Sequence, residues 1–289
     1  RMFYIMVGEP GKVVSPMTEL HLKPGRTRDS DIPLHGPEEF EAMRKAGQLA
    51  AAALDMVVPL VVPGVTTEEI DRRVFEFAMD HGALPATLFY RGYGKSCCTS
   101  INHVVCHGIP GPKPLREGDI LNIDVTLIVD GWHGDTSRMY TVGKVSRRAE
   151  RLIEVTFEAL RRGVEAARPG KTTGHIGAAI QEYAEAERCG VVRDFCGHGL
   201  GRVFHDKPNI LHYGSTGEGP RLEPGLLFTI EPMINVGSRF TVLDKSDGWT
   251  VRTRDGKLSA QFEHTILMTE DRPEILTPTR QGPQRGHTF

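Results

Sequence analysis

The sequence predicts an α+β domain made of two similar halves related by a pseudo-twofold axis. Three observations lead there. Stretches of helical and of strand periodicity follow one another along the chain, segments of the first half return 106 or 107 residues later, and the returning strand segments end on acids in each half. Duplication of this kind packs the halves face to face and brings matching residues together at the axis, so a site built there is central.

The elements follow in order. Residues 1–36 are polar and carry Pro10, Gly11, Pro24, Gly25 and Pro33, which predicts a surface arm. Pro37, Glu38 and Glu39 open a helix whose apolar positions Phe40, Met43, Ala46, Leu49, Ala50 and Ala53 recur at helical spacing. Thr66 and Thr67 cap a second helix, with Glu68 and Glu69 in its first turn. This helical pair returns between Arg147 and Gly190: Pro63-Gly64-Val65-Thr66-Thr67 reappears as Pro169-Gly170-Lys171-Thr172-Thr173, and Gly82 and Gly190 are read as the two helix ends. Leu115 to Asp124 likewise parallels Leu222 to Glu231. Cys106-His107-Gly108 is aligned with Gly197-His198-Gly199, and Asp135 with Glu263. The duplicated domain spans 37–275, and 276–289 read as a tail.

Composition excludes several functions. With 35 Lys plus Arg against 37 Asp plus Glu, the net charge of −2 provides no general attraction to nucleic acid or to an acidic membrane. The stretch Leu49–Val62 is broken by Asp55 and Pro59 and is too short to span a bilayer. The first residues lack the apolar run and cleavage site of a secretory signal. Cys97, Cys98, Cys106, Cys189 and Cys196 form no disulfide framework, which predicts reduced thiols and a cytoplasmic protein. One compact core predicts a monomer.

Strand alternation says where the acids point. In Ile120 to Val129, Leu121, Ile123, Val125 and Leu127 form an apolar face, and Asn122, Asp124 and Thr126 form the other. Glu231 shares a face with Leu227 and Thr229, and Glu263 with Gln261 and Thr265. Carboxylates set within apolar strands need a counter-charge, and few Lys or Arg lie near. Asp124, Asp135, His198, Glu231 and Glu263 hold more negative charge than one zinc ion ordinarily takes, so two divalent ions are expected. Oxygen-rich donors with one imidazole suit Mn, Fe, Co or Zn.

These residues stand in the motifs SINHVVCHGIP, NIDVTLIVDGWHGDTSRMYTVG, CGHGLGRVFHDKP, FTIEPMIN and WTVRTRDGKLSAQFEHT. Through them the chain resembles the type I methionine aminopeptidases, over about residues 37 to 275. The resemblance implies the pita-bread fold, an antiparallel sheet backed by helices around a central dinuclear metal site. It also implies removal of the initiator methionine from nascent polypeptide N-termini, including at the ribosome, when the second residue is small. The family's five ligands fall on Asp124, Asp135, His198, Glu231 and Glu263, and its two further histidines on His107 and His205. By chemistry Glu231 shuttles the proton, His205 stabilises the oxyanion and His107 positions the substrate amide. The resemblance places the methionine pocket on Tyr90, Tyr93, Cys98, Phe204 and Trp249, and a monovalent cation near Asn102, Val104 and Ser259. Thr87 and Arg91 depart from the Cys and His of related sequences at the pocket rim.

Two other functions compete. A pita-bread X-Pro peptidase shares these ligands but ordinarily carries a long N-terminal domain. A non-catalytic binding relative ordinarily loses ligands, and all five are present. Taken singly, the aromatics would be read as core residues and Cys98 as a packing thiol.

Overall fold

The computed structural model describes residues 31–281. In chain order the first half runs α1 (Pro37–Met56), α2 (Thr67–Asp80), then strands β1 (Leu84–Pro85), β2 (Cys98–Ile101), β3 (Val104–Cys106), β4 (Ile120–Val129) and β5 (Trp132–Thr141). The second runs α3 (Arg147–Ala166), α4 (Thr173–Ala186), β6 (Gly190–Val191), β7 (Gly197–Gly199), β8 (Asp206–Ile210) and β9 (Leu227–Ile230). It closes with β10 (Met233–Asn235), β11 (Thr241–Leu243), β12 (Val251–Thr253), β13 (Ser259–Gln261), β14 (His264–Met268) and β15 (Pro273–Ile275). Among the described residues, no helix is long and apolar enough to cross a membrane.

Each half buries its own core. Met43, Ala50 and Leu54 of α1 and Ile70 and Val74 of α2 pack with Leu121, Ile123, Val125 and Leu127 of β4. Leu152, Ile153 and Leu160 of α3 and Ile176 and Ile180 of α4 pack with Phe228, Ile230 and Ile266. The helices thus cover one face of each sheet and leave the opposite face to the acids. At Gly134 the backbones of α1 and β5 approach closely, since a Cβ there would lie 2.3 Å from the backbone of Ala46. Beyond β15, Leu276 and Thr277 are buried, and the N–H groups of Arg280 and Gln281 donate to Asp55 on α1.

The duplication appears in the lengths of the helices, which have 20 and 14 residues in each half, and in matching hydrogen bonds. Gly64 N–H donates to Leu115 O and Gly170 N–H to Leu222 O, at 2.8 and 2.9 Å. Gly118 N–H donates to Val142 O and Gly225 N–H to Met268 O, each at 2.8 Å. The strands pair antiparallel: β1, β4 and β2 in that order with β5 on β4, and β15, β14, β9, β7 and β8 in the second half.

Strand register and backbone conformation correct three of the sequence alignments. Asp124 opposes Ser137, and Ile230 opposes His264. With Asp124 matched to Glu231, Ser137 then corresponds to Glu263 and Asp135 to Gln261, two residues away from the alignment of Asp135 with Glu263. Ile101 pairs with Leu121 and Gly199 with Phe228, so His198 stands where Ser100 does, and His107 is not its counterpart. The left-handed residue after α4 is Arg188 (φ 62°), the partner of Gly82 (φ 66°), while Gly190 already lies in β6.

Candidate metal centre and adjoining pocket

Five side chains predicted as ligands line one cavity, although they arrive from five places: Asp124 on β4, Asp135 on β5, His198 on β7, Glu231 just after β9 and Glu263 just before β14. Asp135, His198 and Glu263 are buried, and one ligand atom from each lies within 4.8 Å of the other two. His198 Nε2 is 3.5 Å from Asp135 Oδ2 and 3.6 Å from Glu231 Oε1.

His198 Nδ1 sits 3.0 Å from the carbonyl oxygen of Gly199. A carbonyl only accepts, so Nδ1 carries a proton, and the neutral ring turns the lone pair of Nε2 towards two carboxylates. That arrangement is repulsive unless a proton or a cation lies between. Burial works against an imidazolium here, but Asp135 and Glu231 outweigh it and raise the histidine above its ordinary value. Burial, with the charges of Asp135 and Glu231, holds Asp124 and Glu263 well above the usual carboxylate range. Glu231 is pushed up to about 7, mainly by burial. Oxygen donors with one imidazole and no nearby Lys or Arg in the cavity wall except Arg91 fit divalent cations.

The cavity also gathers every residue assigned to the pocket. The ring of Tyr90 lies 5.3 Å from Phe204 and 4.9 Å from His205, and Tyr93 lies 5.1 Å from Trp249. The hydroxyl of Tyr93 is 3.0 Å from Gly108 O and 3.1 Å from Cys97 O, which fixes it in the wall. Burial pushes the Cys98 thiol up, so it packs in its protonated form. His107 packs edge-on against Phe195 at 5.3 Å, and burial lowers it to about 4. His205 lies 4.3 Å from the ring of His198, and burial lowers it well below its ordinary value. Each is therefore a neutral imidazole able to donate one hydrogen bond. Thr87 and Arg91 stand in the wall, Thr87 donating to Lys95 O at 2.7 Å and Arg91 lying 5.2 Å over the Tyr90 ring.

Asn102, Val104 and Ser259 lie outside this cavity. Ser259 N–H donates to Asn102 O at 2.9 Å, and Asn102 Oδ1 already accepts the N–H of Ile120 at 3.0 Å.

Sequence reasoning missed Thr126 and Gln261 in the wall, and His133 outside it. His133 stacks on the wall residue Phe204 at 5.6 Å, and Gln261 Nε2 lies 3.3 Å from Glu231 Oε2. Thr126 Oγ1 donates to Asp135 Oδ1 at 2.7 Å. Thr126 and Gln261 share strand faces with Asp124 and Glu263, and that alternation was the signal that could have found them.

A model of metallopeptidase family M24 matches residues 41–270. The chain belongs to metallopeptidase family M24. Among M24 relatives, the methionine aminopeptidase of Rickettsia prowazekii (strain Madrid E) is 57% identical over 246 residues, covering 85% of this chain and 95% of the relative. That of Escherichia coli (strain K12) is 51% identical over 248 residues, covering 85% and 94%. The crystal structure of the Rickettsia prowazekii methionine aminopeptidase superposes with a TM-score of 0.85, covering 86% of this chain and all of that one. The prolidase from Pyrococcus furiosus, 23% identical with a TM-score of 0.69 over 88% of this chain and 67% of its own, shares the fold. Membership of M24 makes this chain a metal-dependent hydrolase, in keeping with the donor cluster.

Proposed function

We propose that this M24 chain is a methionine aminopeptidase that removes the initiator methionine from polypeptides with a small second residue. The observation that carries the reading is the joining, in one cavity, of four acids and an imidazole with an aromatic wall around Cys98. Relatives 51–58% identical over most of the chain carry that name, which supports it.

Asp124, Asp135, His198, Glu231 and Glu263 would hold two divalent ions of the Mn, Fe, Co or Zn kind. Such ions, when bound, supply positive charge that acidifies water and polarises a carbonyl. This chain's own residues do the rest. Tyr90, Tyr93, Phe204 and Trp249, with the soft sulfur of Cys98, hold the thioether side chain, because sulfur and aromatic rings attract modestly. His107 donates to the substrate amide and orients it. His205 donates to the carbonyl oxygen as negative charge grows there. Glu231, in the wall of the same cavity, takes a proton from the attacking water and delivers it to the leaving nitrogen.

Nascent chains are the natural substrates in this reading, met in the cytoplasm by a monomeric enzyme; the five free thiols support a reducing compartment. A monovalent cation near Asn102, Val104 and Ser259 belongs to the same proposal. Hydrolysis of Met-Ala-Ser with added Mn or Co tests it: turnover is expected and should vanish in His198→Ala and Glu231→Ala. Undiminished turnover in those variants, or cleavage of X-Pro but not Met-Ala peptides, refutes it.

A further inference from the structure

We propose that Thr229 is a positioning residue whose single hydroxyl sets the spacing between His198 and Glu231 and thereby the affinity of the centre for divalent ions. The proposal rests on the reading of those two residues as ligands.

Thr229 lies on β9, fully buried between the two. The backbone N–H of His198 meets its Oγ1 at 3.0 Å. An N–H can only donate, so the hydroxyl accepts there, and its own proton is directed at Glu231 Oε1, 2.7 Å away. One oxygen thus joins the backbone of one ligand on β7 to the side chain of another beyond β9. Branching at Cβ restricts the hydroxyl to few rotamers, so the link holds the carboxylate's orientation as well as its distance.

The duplicated half provides an internal comparison. Asn122 occupies the position matching Thr229, and its amide donates to Gln261 O at 2.8 Å and to no acid. Ser100, matching His198, accepts the N–H of Gly108 at 3.2 Å. The fold therefore builds the same strand pair without a hydroxyl bridge, and the bridge appears on the side where an imidazole and a carboxylate must be held together. Groups that orient metal ligands typically change metal affinity by about 10–100-fold when removed.

The test is calorimetric titration of the metal-free full chain with Mn2+, alongside its thermal unfolding. Thr229→Val, which keeps the shape and loses the hydroxyl, should bind Mn2+ about 10–100-fold more weakly, while Thr229→Ser should bind close to wild type. A merely structural role would lower the unfolding temperature of the metal-free protein without this ordering. If Thr229→Val does not fold, Thr229→Cys replaces it, a thiol being a weak donor, and the order wild type, Ser, Cys is expected. Valine or cysteine matching wild type, or serine as weak as valine, overturns the proposal. Wild type that binds no Mn2+ overturns the ligand reading and this proposal with it.

Discussion

Asp135 of the first half and Thr265 of the second hydrogen-bond to each other across the pseudo-twofold axis. The N–H of Asp135 donates to Thr265 Oγ1 at 3.2 Å, and that hydroxyl donates to Asp135 O at 2.7 Å. One step along, the matching pair Ser137 and Glu263 forms an isolated bridge, with Glu263 N–H on Ser137 O at 3.0 Å. Matching residues that meet one another mark the axis, and two candidate ligands stand beside it.

Removing that contact should loosen the join between the halves. Thr265 is fully buried, so Thr265→Val leaves a buried N–H and carbonyl of Asp135 without this partner. A loss of about 1–3 kcal/mol is expected, read from urea unfolding of the metal-free protein; unchanged stability would show that the hydroxyl is dispensable there.

Metal uptake should release protons. In the absence of cations, burial and the neighbouring acids hold Asp124 and Glu263 well above the usual carboxylate range and Glu231 is pushed up to about 7, whereas ligating carboxylates must be ionised. Titrations with Mn2+ in buffers of different ionisation enthalpy should give apparent heats that differ by the protons released, with affinity rising as pH rises through 7. Chelation should abolish hydrolysis and lower the unfolding temperature, and at 100 times the dissociation constant the bound ion should restore about 2.7 kcal/mol.

The pocket wall depends on an anchor remote from the substrate. Asp71 Oδ1 on α2 accepts the N–H groups of Ser96 at 2.6 Å and Cys97 at 3.1 Å, next to Cys98 and the carbonyl that meets Tyr93. Asp71→Ala leaves two buried donors unpaired and should cost about 1–3 kcal/mol, with a raised KM for Met peptides. Asp71→Asn keeps an acceptor oxygen and should preserve KM, which steady-state kinetics on the two variants will decide.

Acid sensitivity away from the centre should come from Glu158 on α3. Arg161 and Arg162 hydrogen-bond to its oxygens at 2.6 to 2.8 Å, and chiefly the Arg161 bond lowers it from 4.5 to about 2. A lowered carboxylate favours the folded state above pH 4.5, and that contribution disappears as pH falls towards about 2. Solvent reaches this cluster, so Glu158→Gln should cost only about 1 kcal/mol at pH 7. The difference from wild type should close between pH 4.5 and about 2 in chemical denaturation.

Much of the centre was legible in the chain. Thr66 caps α2, its hydroxyl accepting from Glu69 N–H at 3.1 Å, and Pro37 opens α1, as their residue types dictate. Alternation along β4 placed Asp124 opposite Leu121, Ile123 and Val125. What failed was counting across loops. Asp130-Gly131 joins β4 to β5 in a tight turn, whereas β10 to β13 intervene between β9 and β14, so a constant offset carries Asp124 to Glu231 but cannot carry Asp135 to its partner.

Caps, strand faces and the identity of the donor side chains follow from local sterics and from the chemistry of each residue with its near neighbours, and the sequence by itself determined them. Tertiary structure decided that His198 faces Asp135 and Glu231, that Thr229 stands between two of them, and that Thr265 closes on Asp135. Those relations depend on the hydrogen-bond register between strands far apart in the chain and on the packing of helices that presses the two sheets together, and neither is a property of any single segment.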